Sequence, residues 1–294
     1  MRRWWLPLAG MAPSLAGAHV LQGDASGSPG DGLVLMLLVA PALVYVVGLA
    51  RIGVRSVQGR TSITRAACFF GGEVALAACL LSPLDAWSAE RFSAHMVQHE
   101  LLMLVAAPLL VLGRPLPIFL WAFPAPARAA LGRWTRTQPV SCVWSLLMHP
   151  ATGWSAHALA LWGWHVPLLF RAALQNPALH DLQHLSFVLT ALLFWSGLFL
   201  SRQALHRGAA VLYLFSTTVH TSVLGALITL VDRPMYVPDA HVLPAGALQD
   251  QQLGGLIMWV PGSMVYVAAG LWLFLRWVRA ADSAQPGGNA GWSG

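Results

Sequence analysis

Apolar residues run through this chain in blocks of about twenty instead of alternating with polar ones, and short segments holding Pro, Gly and Arg divide the blocks. A helix of that length reaches across the hydrocarbon core of a bilayer, about 30 Å. Seven such stretches predict seven transmembrane helices, at about 33–50, 64–81, 91–113, 143–170, 180–200, 209–231 and 250–278. The expected fold class is therefore all-α: a polytopic membrane helix bundle, with residues 33–279 forming one seven-helix transmembrane domain. Pro150 and Pro167 fall near the ends of the fourth span. Pro261 lies inside the seventh, where a residue with no N–H predicts a kink. Pro115 and Pro117 end the third. Ile118 to Phe123 then reads as interfacial, anchored by Trp121, and Pro124 to Gln138 reads as a short surface helix carrying Arg128, Arg133 and Arg136.

The two ends break the pattern. Residues 1–18 read as a signal peptide: Arg2 and Arg3, a short apolar core interrupted by Pro7 and Pro13, then Ala16-Gly17-Ala18 as a cleavage pattern. An uncleaved segment lying in the membrane interface is the alternative. Cleavage after Ala18 makes His19 the new amino terminus, where amine and ring together can chelate copper. Residues 19–32 read as a flexible outer linker, and residues 280–294 as a disordered cytoplasmic tail.

Composition agrees with the pattern. The chain is 57% hydrophobic and 10% charged, against about a quarter charged in ordinary globular domains. All its basic residues are Arg. A net charge of +6 would suit nucleic acid if the arginines were clustered, but they fall in loops between apolar blocks, where they report topology. Loops after spans one, three and five, with the C-terminal flank, hold twelve: Arg51, Arg55, Arg60, Arg65, Arg114, Arg128, Arg133, Arg136, Arg202, Arg207, Arg276 and Arg279. The opposite loops hold Arg91, Arg171 and Arg233. The positive-inside rule then places the N-terminus outside and the C-terminus inside, as an exported N-terminus requires. The expected partners are lipid and protein, with no nucleic acid. Cys68, Cys79 and Cys142 form no CxxC pair, so neither a disulfide framework nor a thiolate metal site is indicated.

The chemistry lies inside the spans. Ionisable groups at membrane depth are costly and mark function by default. His95 and His99 share one face of span three at i, i+4, and His180 and His184 repeat that spacing in span five. His165 sits near the outer end of span four, and Asp250 opens span seven at the same level. His220 and Met258 lie deeper, at roughly 13 to 16 Å from the outer boundary, and His157 lies two turns below His165. Donor groups thus gather in the outer half of the bundle. The metal ligands expected are His95, His99, His165, His180, His184 and His220, with Met258, Asp250, Glu100 and His157 as auxiliary groups. Against this, a single intramembrane His such as His157 is more often a hydrogen-bonded packing residue. Met258 and Met264 read more simply as core, Trp162, Trp164 and Trp195 as packing aromatics, and Glu73 and Glu100 as acids paired with a neighbour. Several imidazoles with little thiolate suit copper, with zinc or iron as alternatives. Bis-His haem ligation is the rival reading.

The blocks SPLDAWSAERFSAHMVQHELLMLVAAPLLVLGRPLP and WGWHVPLLFRAALQNPALHDLQHLSFVLTALLFW resemble the multi-spanning CtaG family, assembly factors for caa-type cytochrome c oxidase. The likeness runs from about Leu33 to Arg279, and His95, His99, His165, His180 and His184 carry the pattern. It implies seven spans, a bacterial plasma (inner) membrane, and cytochrome c oxidase subunits as partners. Three functions follow as expectations. One is a non-enzymatic assembly factor that holds copper and assists metallation of the oxidase. Another is a membrane redox protein binding haem or a di-metal centre, and the third is a metal-free scaffold. No P-loop and no GxSxG motif points to soluble catalysis.

Overall fold

The computed structural model describes residues 29–52, 59–200, 207–237 and 245–282. The signal-peptide reading, His19, most of the linker and the last twelve residues of the tail lie outside the described residues. In chain order, α1 (Pro29–Ile52) and α2 (Gly59–Leu80) are followed by the short α3 (Pro83–Glu90). A central rod comprises α4 (Phe92–Leu101), a π-helical turn (Leu102–Ala106) and α5 (Ala107–Gly113). Then come α6 (Pro115–Trp121), α7 (Ala125–Trp134), α8 (Gln138–Leu147), α9 (Pro150–Trp164), α10 (Pro167–Gln175), α11 (Pro177–Phe199) and α12 (Arg207–Leu230). The last rod is α13 (Ala247–Ile257), a second π turn (Met258–Gly262) and α14 (Ser263–Asp282). Every element among the described residues is helical.

Six helical rods are long and apolar enough to cross a membrane: Val34–Ile52, Ile63–Leu80, Phe92–Gly113, Pro177–Phe199, Gly208–Leu230 and Ala247–Leu275. The rod Phe92–Gly113 has the largest buried share, 61%, which makes it the axis of the bundle. Elsewhere large apolar side chains such as Leu159, Leu212 and Leu230 point outward. In lipid, that outward face is the solvated one.

The stretch 143–170, expected as one continuous span, is three helices instead: the chain turns at Met148–His149 and again at His165–Val166. Each break precedes a proline. A Pro ring clashes with the carbonyl four residues back and disfavours helical geometry in the residue before it, so Pro150 and Pro167 each begin a new helix. The His149 ring caps the second, accepting from the Ala151 N–H at 3.2 Å. What remains between the prolines, α9, has 15 residues, about 22 Å of helix. Gly153 on α9 lets it press directly against the Leu193 carbonyl of α11.

Both π turns trace to proline. Pro108 has no N–H to return to Leu104, and the Ala107 N–H reaches five residues back to the Leu102 carbonyl. The widened turn leaves the Met103 carbonyl free for the Trp195 indole, which donates to it at 2.9 Å. Pro261 produces the second π turn, where the sequence led us to expect a kink. Trp195→Phe keeps an aromatic side chain but, besides its smaller volume, orphans a buried carbonyl, so the variant should lose at least about 1–3 kcal/mol. An unchanged melting temperature in detergent would contradict the role given to this bond.

The bundle closes around two apolar cores. The larger includes Phe92, Met96, Met103, Phe170, Phe187, Phe194, Trp195 and Met258. The smaller fastens α1: Tyr45 stacks on Phe69 at 4.0 Å and its hydroxyl donates to the Gly113 carbonyl at 3.2 Å.

Candidate metal centre

Three elements meet at one end of the central rod. α4 contributes His95 and His99 on one face, as their i, i+4 spacing requires. α11 contributes His180 and His184 by the same rule, and α9 ends on His165. Asn176 caps α11 through the Ala178 and Leu179 N–H groups at 3.0 and 3.3 Å, which places His180 in the first turn at the rim.

The rings converge. His95 and His99 stand edge-to-face at 4.2 Å between centroids, and His180 and His184 lie 4.3 Å apart. Across the helices, His95 is 5.3 Å from His180 and 5.7 Å from His184, and His99 is 5.2 Å from His184. Among the described residues, His95, His180 and His184 form the group able to share an ion: one nitrogen from each lies within 4.8 Å of the other two. Phe170 closes one flank at 5.1 Å from His95, and Phe187 the other at 4.6 Å from His99.

The group is buried and its polarity is unspent. His95 and His99 are each 1% exposed, and no ring nitrogen of either makes a hydrogen bond of full geometry, although the Ser88 backbone and the Gln183 side chain lie close enough to act on His95. The same holds for Nε2 of His184 and for the whole side-chain amide of the fully buried Gln183. Folded proteins satisfy nearly all buried polar atoms, because each orphan costs about 1–3 kcal/mol. Each imidazole lends one nitrogen to an ion, so a cation among these rings would satisfy three of the five, one from each of His95, His99 and His184. His180 is partly exposed, and the carboxylates of Asp85 and Asp181 lie close enough to act on it electrostatically. It forms the exposed side of the group.

Supporting residues hold the helices in place. Gln98 donates to the Cys79 carbonyl at 2.8 Å and to Asp85 at 2.9 Å, tying α4 to α2 and α3. The Nδ1 of His165 faces the Leu161 carbonyl at 2.7 Å, and its own backbone carbonyl accepts from the Tyr236 hydroxyl at 2.8 Å. Burial pushes the Tyr236 phenol up to about 12, so it remains a donor at physiological pH.

Over residues 43–280 the chain matches the cytochrome c oxidase caa3 assembly factor family (Caa3_CtaG). The chain belongs to that family. No curated protein and no solved structure matches it. The resemblance carried by the HMVQH and HDLQH blocks is thereby confirmed, and with it the class of cytochrome c oxidase assembly factor and its membrane setting.

Not every expected ligand of this Caa3_CtaG protein joins the group. His165 stands beside it, 6.4 Å from His99 between ring centroids. His220 lies with two tryptophans instead: Trp162 donates to its Nδ1 at 3.4 Å and Trp154 packs on its ring at 5.5 Å. His157 has polar neighbours at both nitrogens, the Tyr266 hydroxyl at 3.3 Å and the Thr190 hydroxyl at 3.5 Å. Met258 is buried in the apolar core. Glu100 lies against Gly262 of the second π turn. Asp250 caps a helix from outside it: its carboxylate takes the Phe92 N–H at 2.6 Å, the Ser93 N–H at 3.4 Å and the Ser93 hydroxyl. Arg91, at the N-cap position of α4, supplies no such bond itself. Asp250→Ala should therefore destabilise the protein by about 0.5–2 kcal/mol, as a thermal melt would reveal.

Sequence reasoning passed over Met96, Gln183 and Gln98. Each sits within one residue of a histidine in HMVQH or HDLQH, and polar or thioether residues inside a histidine-bearing turn were the signal to follow.

Proposed function

We propose that this assembly factor holds a copper ion at His95, His180 and His184, with His99 as a further donor, and passes it to a cytochrome c oxidase subunit. The copper is cargo, not a resident catalyst. The observation that carries the reading is the set of imidazole nitrogens within 4.8 Å of one another, buried where ring nitrogens of His95, His99 and His184 make no hydrogen bond of full geometry. Nitrogen donors on a tetrahedral centre stand about 3.3 Å apart, so small rotamer changes would close the group on an ion. Imidazole donors suit copper, zinc and iron alike; copper is favoured because the family serves a copper-containing oxidase. Haem fits less well. A macrocycle needs a flat slot between its axial ligands, and here His95 and His99 touch each other while Phe170 and Phe187 close the flanks. A metal-free scaffold leaves the orphaned nitrogens without a purpose.

The topology belongs to the same proposal. With the stretch from α8 to α10 as a seventh, broken crossing, the arginine count gives an outer N-terminus and an inner C-terminus in a plasma membrane. The histidine group then opens outward at His180. Release to a partner needs only ligand exchange, one imidazole leaving as an acceptor's donor arrives, with no change in oxidation state. The test is copper content of the purified full-length protein, paired with oxidase activity in cells carrying His184→Ala. Copper bound near one equivalent and lost oxidase activity are expected. A metal-free protein whose His184→Ala variant supports full oxidase assembly would end the proposal.

A further inference from the structure

We infer that Met96 and His165 form a second donor pair beside the histidine group, and that this pair selects the cuprous ion. The inference rests on the copper reading above and adds to it the oxidation state of the cargo and the residue that chooses it.

The geometry starts at the end of α9. A carbonyl can only accept, so the 2.7 Å contact from His165 Nδ1 to the Leu161 carbonyl fixes the proton of the neutral ring on Nδ1. Nε2 is left with its lone pair, the tautomer found when an imidazole is prepared as a ligand by a hydrogen bond on its far side. The atom facing Nε2 is the Met96 sulfur, at 3.5 Å. A thioether has no proton to give, so in this tautomer two lone-pair atoms confront each other without a hydrogen bond. Both residues are buried, at 4% and 1% exposure, so water cannot relieve the arrangement.

A cation between them would. With metal–nitrogen near 2.0 Å and metal–sulfur near 2.3 Å at a tetrahedral angle, the two donors stand about 3.5 Å apart. That is the spacing found. The Tyr236 hydroxyl pins the His165 backbone at 2.8 Å, so the pair is held before any ion arrives. His99 lies between the two sets of donors, 6.4 Å from His165 and 4.2 Å from His95 between ring centroids. It can therefore serve as the shared third ligand through which an ion moves from one set to the other. A thioether is a soft donor: it suits Cu(I) and adds little for Zn(II) or Cu(II). A methionine present only to fill the core would have no bearing on which metal binds.

Full-length protein in lipid nanodiscs, titrated anaerobically with Cu(I) against a chromophoric chelator and separately with Zn(II), tests the pair. Met96→Leu conserves volume and removes only the sulfur. Its Cu(I) affinity should fall at least about tenfold, with Zn(II) affinity unchanged. Copper-edge X-ray absorption of the wild type should contain a sulfur shell near 2.3 Å, which Met96→Leu removes. A wild-type spectrum with nitrogen and oxygen scatterers alone overturns the inference, even if the variant does not fold. So does an unaltered Cu(I) affinity in Met96→Leu. If His184→Ala loses copper while Met96→Leu does not, the histidine site stands and only the thioether pair falls. If neither variant changes copper binding, both readings fall.

Discussion

His95→Leu should make the metal-free protein more stable while destroying its affinity for copper. The two effects have one cause. His95 carries two buried ring nitrogens that make no hydrogen bond of full geometry, and a poorly paired buried nitrogen imposes a desolvation cost of about 1–3 kcal/mol that an apolar side chain of similar volume avoids. Leu also packs well against Phe170, which His95 touches at 5.1 Å. The apo variant should therefore melt several degrees above the apo wild type. Copper reverses the order: at a free concentration about a hundred times Kd, a ligand bound only by the folded state adds about 2.7 kcal/mol. The wild type gains that amount and the variant does not, because losing one of three nitrogen donors should weaken binding at least about 100-fold, the upper end of the loss seen when a ligand's supporting partner is removed. Melting curves of both proteins with and without Cu(I) give all four values. A destabilised apo variant would mean that the His95 nitrogens are satisfied in the fold, and the case for a ligand site would weaken accordingly.

How much of this was legible beforehand differs from residue to residue. The paired spacing of His95 with His99 and of His180 with His184 fixed a common face on each helix, because helical period alone decides it. That the two faces meet depends on α4 and α11 being neighbours, which the spacing does not encode and the packing of His95 against His184 at 5.7 Å realises. Depth was a poorer guide. His220 and His157 were placed in the outer half with the rest, yet His220 packs against Trp154 and Trp162 and His157 against Tyr266 and Thr190. His157 lies eight residues before His165 along α9, about 12 Å of helix, and that distance alone keeps it from the group. Asp250 read as a metal-side carboxylate because acids in spans are rare. It is committed instead to the open end of α4, a need that appears only once α3 has broken from α4 at Arg91. The fourth span misled for a related reason. Total hydropathy across Pro150 and Pro167 is high enough to cross a membrane, but hydropathy does not register a missing N–H.

Gly255→Ala should cost about 3 kcal/mol or more and take the metal centre with it, although the substitution adds one methyl group far in sequence from every histidine of the group. A Cβ at Gly255 would stand 2.5 Å from the Thr229 hydroxyl, 2.8 Å from the Thr229 nitrogen and 2.9 Å from the Gly225 carbonyl. Two of those three are backbone atoms of α12 and cannot rotate away. The crossing is small on both sides, since a Cβ at Gly225 would meet the Trp259 nitrogen at 2.7 Å, so α12 and α13 touch backbone to backbone. Relief requires α13 to move outward as a body. That helix carries Asp250, which caps α4, and Gln251, whose amide oxygen takes the Met235 N–H at 2.6 Å and the Tyr236 N–H at 3.4 Å. Shifting α13 therefore releases the start of the helix bearing His95 and His99, and also loosens the loop whose Tyr236 hydroxyl holds His165. Gly132 in α7 is the control. Nothing lies within 4 Å of a Cβ there, so Gly132→Ala should raise stability by about 0.5–1 kcal/mol through helix propensity. Thermal melts and Cu(I) titrations of both variants separate the cases: Gly255→Ala should lose folded yield and copper affinity together, and Gly132→Ala neither. Wild-type melting in Gly255→Ala would mean that the α12–α13 contact is looser than these distances require, and that α13 does not hold the histidine site in register.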